Sequence, residues 1–143
     1  MVYKPALNLL LNAIKKCDPD GKFTRLLGTV PHENIHNHYR KYDAFIFASL
    51  YETFGFPIFE AMAAGLPIAS SDFELTREIL GNDAMYFDPR NPESIAEAVI
   101  KLIEDKELRE KIALNNFEKA KKYTWKKCAD RTFKFFEKCA INR

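Results

Sequence analysis

Apolar and polar residues alternate along this chain in two rhythms, one of helices and one of buried strands. Residues 5–16 place Leu7, Leu10, Leu11 and Ile14 on one broad face, the spacing of an amphipathic helix. CDPDG (17–21) breaks it as a turn, and FTRLLG (23–28) reads as a short strand. PHENIHNHYRKY (31–42) returns to helical spacing, with Pro31 near its start and Ile35, Tyr39 and Tyr42 on one stripe. DAFIFAS (43–49) is a continuous apolar run, as expected of a parallel strand buried on both faces. A loop and a short apolar helix follow, opened by Pro57 and stopped by Gly65. PIASS (67–71) is another buried strand, ELTREILG (74–81) a helix ended by Gly81, and AMYF (84–87) a fourth strand.

Three helices close the chain. Residues 91–105 open with Asn91 as cap and Pro92 at the first helical position, and line up Ile95, Val99, Leu102 and Ile103. Residues 106–122 read as a charged surface helix. Thr124 caps a last helix with a stripe of Trp125, Cys128, Ala129, Thr132, Phe133, Phe136 and Cys139. Strands alternating with helices imply an α/β fold around a parallel sheet of about four strands. Four is few for such a sheet, and a doubly wound domain normally starts with a strand. The expectation is one domain, 1–143, truncated at its N-terminal side.

Composition narrows the class. The chain has 143 residues and is 47% hydrophobic, enough for one domain with a real core. Its 22 basic and 20 acidic residues leave a formal charge of +2, which gives no electrostatic footprint for nucleic acid. No apolar run approaches the ~20 residues of a membrane span. Asn8 and Asn12 interrupt the first apolar stretch, unlike a signal peptide. Cys17, Cys128 and Cys139 share no metal-ligand spacing and read as reduced thiols of a cytoplasmic protein.

The chemistry gathers in YETFGFPIFEAMAAGLP (51–67). This loop leaves a strand at its carboxyl end, where open parallel sheets bind ligands. Gly55 lets the backbone approach closely, and the helix opened by Pro57 offers first-turn amides to an anion such as pyrophosphate. Glu60 sits in a helix that is otherwise apolar, and Glu52 lies on the loop before it. A carboxylate accepts two hydrogen bonds side by side, which suits the vicinal diol of a ribose or hexose. The bland reading is that Glu60 escapes to solvent or pairs with Arg77.

The segment EtfGfpifEAMAaGlPi, two glutamates separated by seven residues, resembles the E-x7-E signature of family 4 glycosyltransferases of the GT-B fold. FTRLLGTVPHENIHNHYRKYDAFIFAS before it, and PIASSD, REILGNDAMYFDPRNPESIAEAVIKLIED and KYTW after it, resemble the family's usual order over residues 22–138. The resemblance implies the C-terminal, donor-binding half of a GT-B fold, a Rossmann-like three-layer α/β/α domain with a parallel sheet. It implies a retaining hexosyltransferase that uses a nucleotide-diphosphate sugar, with no metal or other cofactor. Glu60 would hold the ribose and Glu52 would contact the transferred sugar. Backbone at Thr53, Phe54, Gly55, Phe56 and Ile58 would meet sugar and phosphate, and Gly28, Thr29 and Val30 would lie near the base. Residues 124–140 would be the helix that crosses back to an N-terminal acceptor domain.

Two departures qualify that implication. The family's acceptor domain, and a Gly-Arg…Lys-Gly segment whose cations neutralise the leaving diphosphate, have no match before Phe23. The isolated chain is therefore expected to transfer little or no sugar, and a non-catalytic nucleotide-sugar-binding module or half of a split enzyme is the alternative. His32 and His36 are four apart without a third ligand, so a solvated helix is the better reading. KAKKYTWKK (119–127) could make weak contact with anionic lipid at the cytoplasmic face of a membrane, although lysines on exposed helix ends are commoner. Cys128 and Cys139 are expected to be small core residues. Some of Phe133, Phe135 and Phe136 are expected to cover a surface that the absent domain would bury.

Overall fold

A computed structural model describes residues 4–141. They form two units that divide between Glu33 and Asn34.

In the first unit, α1 (Lys4–Cys17) ends with Lys15 and Lys16 in its last turn, complementing the negative end of the helix dipole. The CDPDG turn is organised by one carboxylate. Asp18 accepts backbone N–H bonds from Lys22 at 2.8 Å, Phe23 at 2.8 Å and Thr24 at 2.6 Å. Burial alone would raise its pKa, but the amides of Phe23, Thr24 and Lys22 outweigh it and hold the carboxyl below its usual range. The expected strand at 23–28 does not form. Phe23, Leu26 and Leu27 are exposed, and among the described residues this segment enters no ladder. A strand exists only through pairing, so an apolar run without a partner stays irregular.

The second unit is built around a sheet. A 3-10 turn (His32–Asn34) leads into α2 (Ile35–Tyr39), and β1 (Phe45–Phe47), α3 (Phe56–Ala63), β2 (Ile68–Ser71), α4 (Glu74–Leu80) and β3 (Met85–Phe87) follow. The chain then forms α5 (Pro92–Glu104), α6 (Lys106–Ala120) and α7 (Trp125–Ile141). Among the described residues the sheet has three parallel strands, not four, in the order β1-β2-β3, with Phe45 opposite Ile68 and Ser71 opposite Phe87. Every residue of β2 is buried. Because side chains alternate along a strand, Ile68 and Ala69 serve opposite faces. Ile68 joins Phe47, Ile58, Met62, Ile79 and Leu80 from β1, α3 and α4. Ala69 joins Phe87, Ala98, Leu102 and Ile112 from β3, α5 and α6. Two cores on the two faces of one sheet make the three layers.

Three other expectations change. Residues 43–49 were to be buried on both faces, yet β1 buries only Phe47 and leaves Ile46 39% exposed, because β1 is a sheet edge. α6 is not a surface helix: Ile112 and Asn116 are buried, and it packs on both α3 and α5. The stripe of α7 is not core. Its described side chains, Cys128 and Cys139 included, are exposed.

The helix ends follow local chemistry. Asn91 accepts from the amides of Glu93 and Ser94 and so caps α5. Asp105 does the same for α6 through the Leu108 amide, and Thr124 for α7 through Lys127.

Candidate functional site

The loop 48–55 leaves β1 at its carboxyl end and turns into α3 through Gly55. That residue has φ 78° and is buried. A Cβ there would come within 3.3 Å of both Ile58 Cδ1 and Ile79 Cδ1, so besides the strain of positive φ both isoleucines would have to give way. The loop's amides divide into two groups. Thr53 N–H donates to Glu52 Oε1 at 2.9 Å, Ile58 N–H donates to the Gly55 carbonyl at 2.9 Å, and Pro57 has no donor. The N–H groups of Phe54, Gly55 and Phe56 have no protein acceptor among the described residues. Of the residues expected to offer backbone donors, Thr53 and Ile58 are thus committed internally. The other three stand at the positive end of α3.

The aromatic side chains of this loop form a chain of contacts. Phe54 lies against Phe56 with ring centroids 4.4 Å apart and against Phe59 at 5.7 Å, and Phe59 meets Tyr123 at 4.8 Å. Phe54, Phe56 and Tyr123 are all more than half exposed. Tyr123, beyond α6, could not be placed here from the sequence, since nothing local links it to residue 59.

Glu52 and Glu60 are held by different parts of the chain. Glu52 is half-buried and turned back onto its own loop by the Thr53 amide. Glu60, one turn into α3, accepts a hydrogen bond from Tyr39 Oη at 3.0 Å. The expected rival partner, Arg77, is engaged elsewhere. It makes a bidentate pair with Asp72, 2.7 Å for each bond, and lies 3.6 Å over the Tyr86 ring. That hydrogen bond holds the Asp72 carboxyl below its usual range, and burial pushes the Tyr86 hydroxyl up to about 12. Among the described residues Glu60 therefore has a hydroxyl, not a cation, as its hydrogen-bond partner. Burial, then the bond to Glu60 and its charge, raise the Tyr39 hydroxyl well above the usual tyrosine range. Tyr39 stays a donor.

Gly28, Thr29 and Val30 belong to the first unit. Gly28 has φ 65° and open space around it, Thr29 is exposed and Val30 half-buried. Among the described residues no three His, Cys, Asp or Glu side chains converge as metal ligands, and no helix is long and apolar enough to cross a membrane.

Comparison with known proteins gives this arrangement its context. A family model described as "Glycosyl transferases group 1" matches residues 8–119. The O-antigen chain mannosyltransferase B of Escherichia coli is 30% identical over 113 residues, 79% of this chain and 30% of that protein. An uncharacterized glycosyltransferase of Methanocaldococcus jannaschii is 34% identical over 78% of this chain and 29% of its own length. The chain thus spans under a third of these relatives. The sucrose-phosphate synthase of Thermosynechococcus elongatus superposes with a TM-score of 0.82 at 18% identity, over 96% of this chain and 35% of that one. The C-terminal domain of a group 1 glycosyl transferase from Francisella tularensis gives 0.70 at 27% identity, over 82% of this chain and 62% of that one. The α/β fold with its parallel sheet is that of the Rossmann-like half of GT-B glycosyltransferases. The match across residues 8–119, which takes in the loop 48–55 and α3, shows that this chain belongs to the group 1 glycosyl transferases.

Proposed function

We propose that this chain is the donor-binding half of a hexosyltransferase that uses a nucleotide-diphosphate sugar. The observation that carries the reading is Glu60. Its carboxylate lies in an apolar helix with a neutral hydroxyl, not a cation, as its protein partner. A half-buried carboxylate loses solvation, and an uncharged donor leaves most of its accepting capacity unused. A ribose diol supplies two hydroxyl donors to such a group. The diphosphate then lies toward the amides of Phe54, Gly55 and Phe56 at the start of α3, and the transferred sugar toward Glu52. No metal takes part in this reading.

Transfer proceeds with retention by the family resemblance, and mannosyltransferases among the relatives fit a hexosyl donor. The acceptor is bound by a further domain or a partner chain. Preorganised charge at the leaving group supplies much of the rate in such chemistry. Residues 1–22 hold no Gly-Arg…Lys-Gly segment to neutralise the leaving diphosphate, so assayed by itself this chain is expected to transfer little or no sugar. The second reading is a non-catalytic nucleotide-sugar-binding module, or half of a split enzyme that works with a partner. Adding the acceptor domain in trans separates the two, since recovered transfer identifies a split enzyme.

Calorimetry with UDP, GDP and ADP, with and without attached sugars, tests the donor site. One nucleotide is expected to bind, and Glu60→Ala to weaken it about tenfold or more, the usual effect of losing hydrogen bonds to a charged group. A folded chain that binds none of them, or binding indifferent to Glu60→Ala, overturns the reading.

A further inference from the structure

We infer that Tyr39 is a positioning residue for Glu60: its hydroxyl holds the carboxylate in the orientation that meets the ribose. The inference rests on the donor-site reading and adds a residue from a different element to it.

Tyr39 is the last residue of α2, and Glu60 lies in α3, 21 positions further along the chain. The Tyr39 ring is fixed before its hydroxyl reaches anything. It packs edge-on against Phe45 of β1, with centroids 5.6 Å apart and planes at 69°, and borders the core around Phe47, Ile58 and Met62. A ring so placed delivers Oη to Glu60 Oε2 at 3.0 Å.

A glutamate side chain has three rotatable torsions, and ordering it on ligand binding loses rotamer entropy. The bond from Tyr39 selects the orientation beforehand. It takes one lone pair of Oε2 and leaves Oε1 and the second lone pair of Oε2 to accept. An arginine in its place would neutralise the carboxylate and compete for both oxygens. The phenol does neither, and burial beside the carboxylate raises its pKa, which favours the protonated, donating hydroxyl.

A merely structural tie between α2 and α3 would affect stability alone. Orientation of Glu60 must also appear in how the chain distinguishes a ribose from a 2′-deoxyribose. The probes are whichever of UDP, GDP and ADP binds and its 2′-deoxy counterpart. They are titrated into wild type, Tyr39→Phe, Glu60→Ala and the double variant, with thermal melting alongside. Wild type is expected to prefer the ribonucleotide about tenfold or more. Tyr39→Phe keeps the ring on Phe45 and should melt near wild type, with the preference reduced to about threefold or less. Glu60→Ala should abolish the preference, and Tyr39→Phe added to it should change the ratio no further, the signature of two residues acting as one unit.

If Tyr39→Phe retains the wild-type ratio while Glu60→Ala loses it, the inference about Tyr39 fails and the reading of Glu60 stands. If wild type shows no preference, if Glu60→Ala leaves it intact, or if the folded chain binds no nucleotide, the reading of Glu60 fails and the role of Tyr39 with it. Should Tyr39→Phe not fold, the wild-type chain still answers through the Tyr39 Cζ carbon resonance. It should move on binding the ribonucleotide and much less with the 2′-deoxy form. Equal movement with both overturns the inference.

Discussion

Gly55 and Glu60 stand out in the sequence because each violates its surroundings, one without a side chain and one with a charge among apolar residues. Gly55 has φ 78°, and a Cβ there would press on Ile58 and Ile79 at 3.3 Å. Gly55→Ala should therefore destabilise the chain by about 1–3 kcal/mol in urea unfolding. It should also weaken nucleotide binding in the folded fraction, because the amides of Phe54 and Phe56 flank it. Unchanged stability would mean that the turn relaxes without strain. Tyr39 was not legible in the same way. Its sequence context shows only a helical stripe, and the bond to Glu60 joins positions 21 apart. The internal bonds of Thr53 and Ile58 were hidden for a related reason: their amides look available from the sequence, yet they donate to Glu52 Oε1 and to the Gly55 carbonyl.

Among elements, short apolar runs and capping residues carried the reading well, as at β2 and at the Asn91 cap. Partners across the sheet did not show. Residues 23–28 have a strand's composition but enter no ladder among the described residues. The charges of α6 hid a line of half-buried Leu108 and buried Ile112 and Asn116, of which Asn116 donates to the Asp83 carbonyl at 2.7 Å. The same helix carries Lys119, which pairs with Asp83 at 2.6 Å and also donates to the Leu80 carbonyl. Lys119→Ala should cost about 1–2 kcal/mol in thermal or urea unfolding, since the pair is only partly exposed and its removal strips two acceptors. Burial alone would raise the Asp83 pKa, yet Lys119 and Asn115 outweigh it and lower the folded value. Stability from this pair is then complete above the unfolded carboxyl value of about 4 and is lost as pH falls through the lower folded value. Wild type should lose stability over that acid window, and Lys119→Ala should lose less of it. Parallel acid profiles for the two would remove Asp83 from the account.

The whole molecule is unevenly supported, with nearly all the packing around β2 and little along α7. Trp125 is 79% exposed, and Phe133, Phe135 and Phe136 are exposed with it. The sequence stripe on α7 is genuine, since apolar residues recur at helical spacing, but periodicity says that a face needs covering and not what covers it. Residues 125–141 therefore depend on local propensity and on the Thr124 cap. An isolated helix of this length is marginal in water, because most helical stability comes from a packed face. Hydrogen exchange followed by mass spectrometry on the 143-residue chain should show this directly. Amides of 125–141 should exchange with little protection, while those of 68–71, in the fully buried β2, should exchange only through global unfolding. Ending the chain at Thr124 should accordingly leave the thermal midpoint of the core nearly unchanged. Protection of α7 comparable to β2, lost on dilution, would mean instead that its aromatic face is covered by a second copy of the chain.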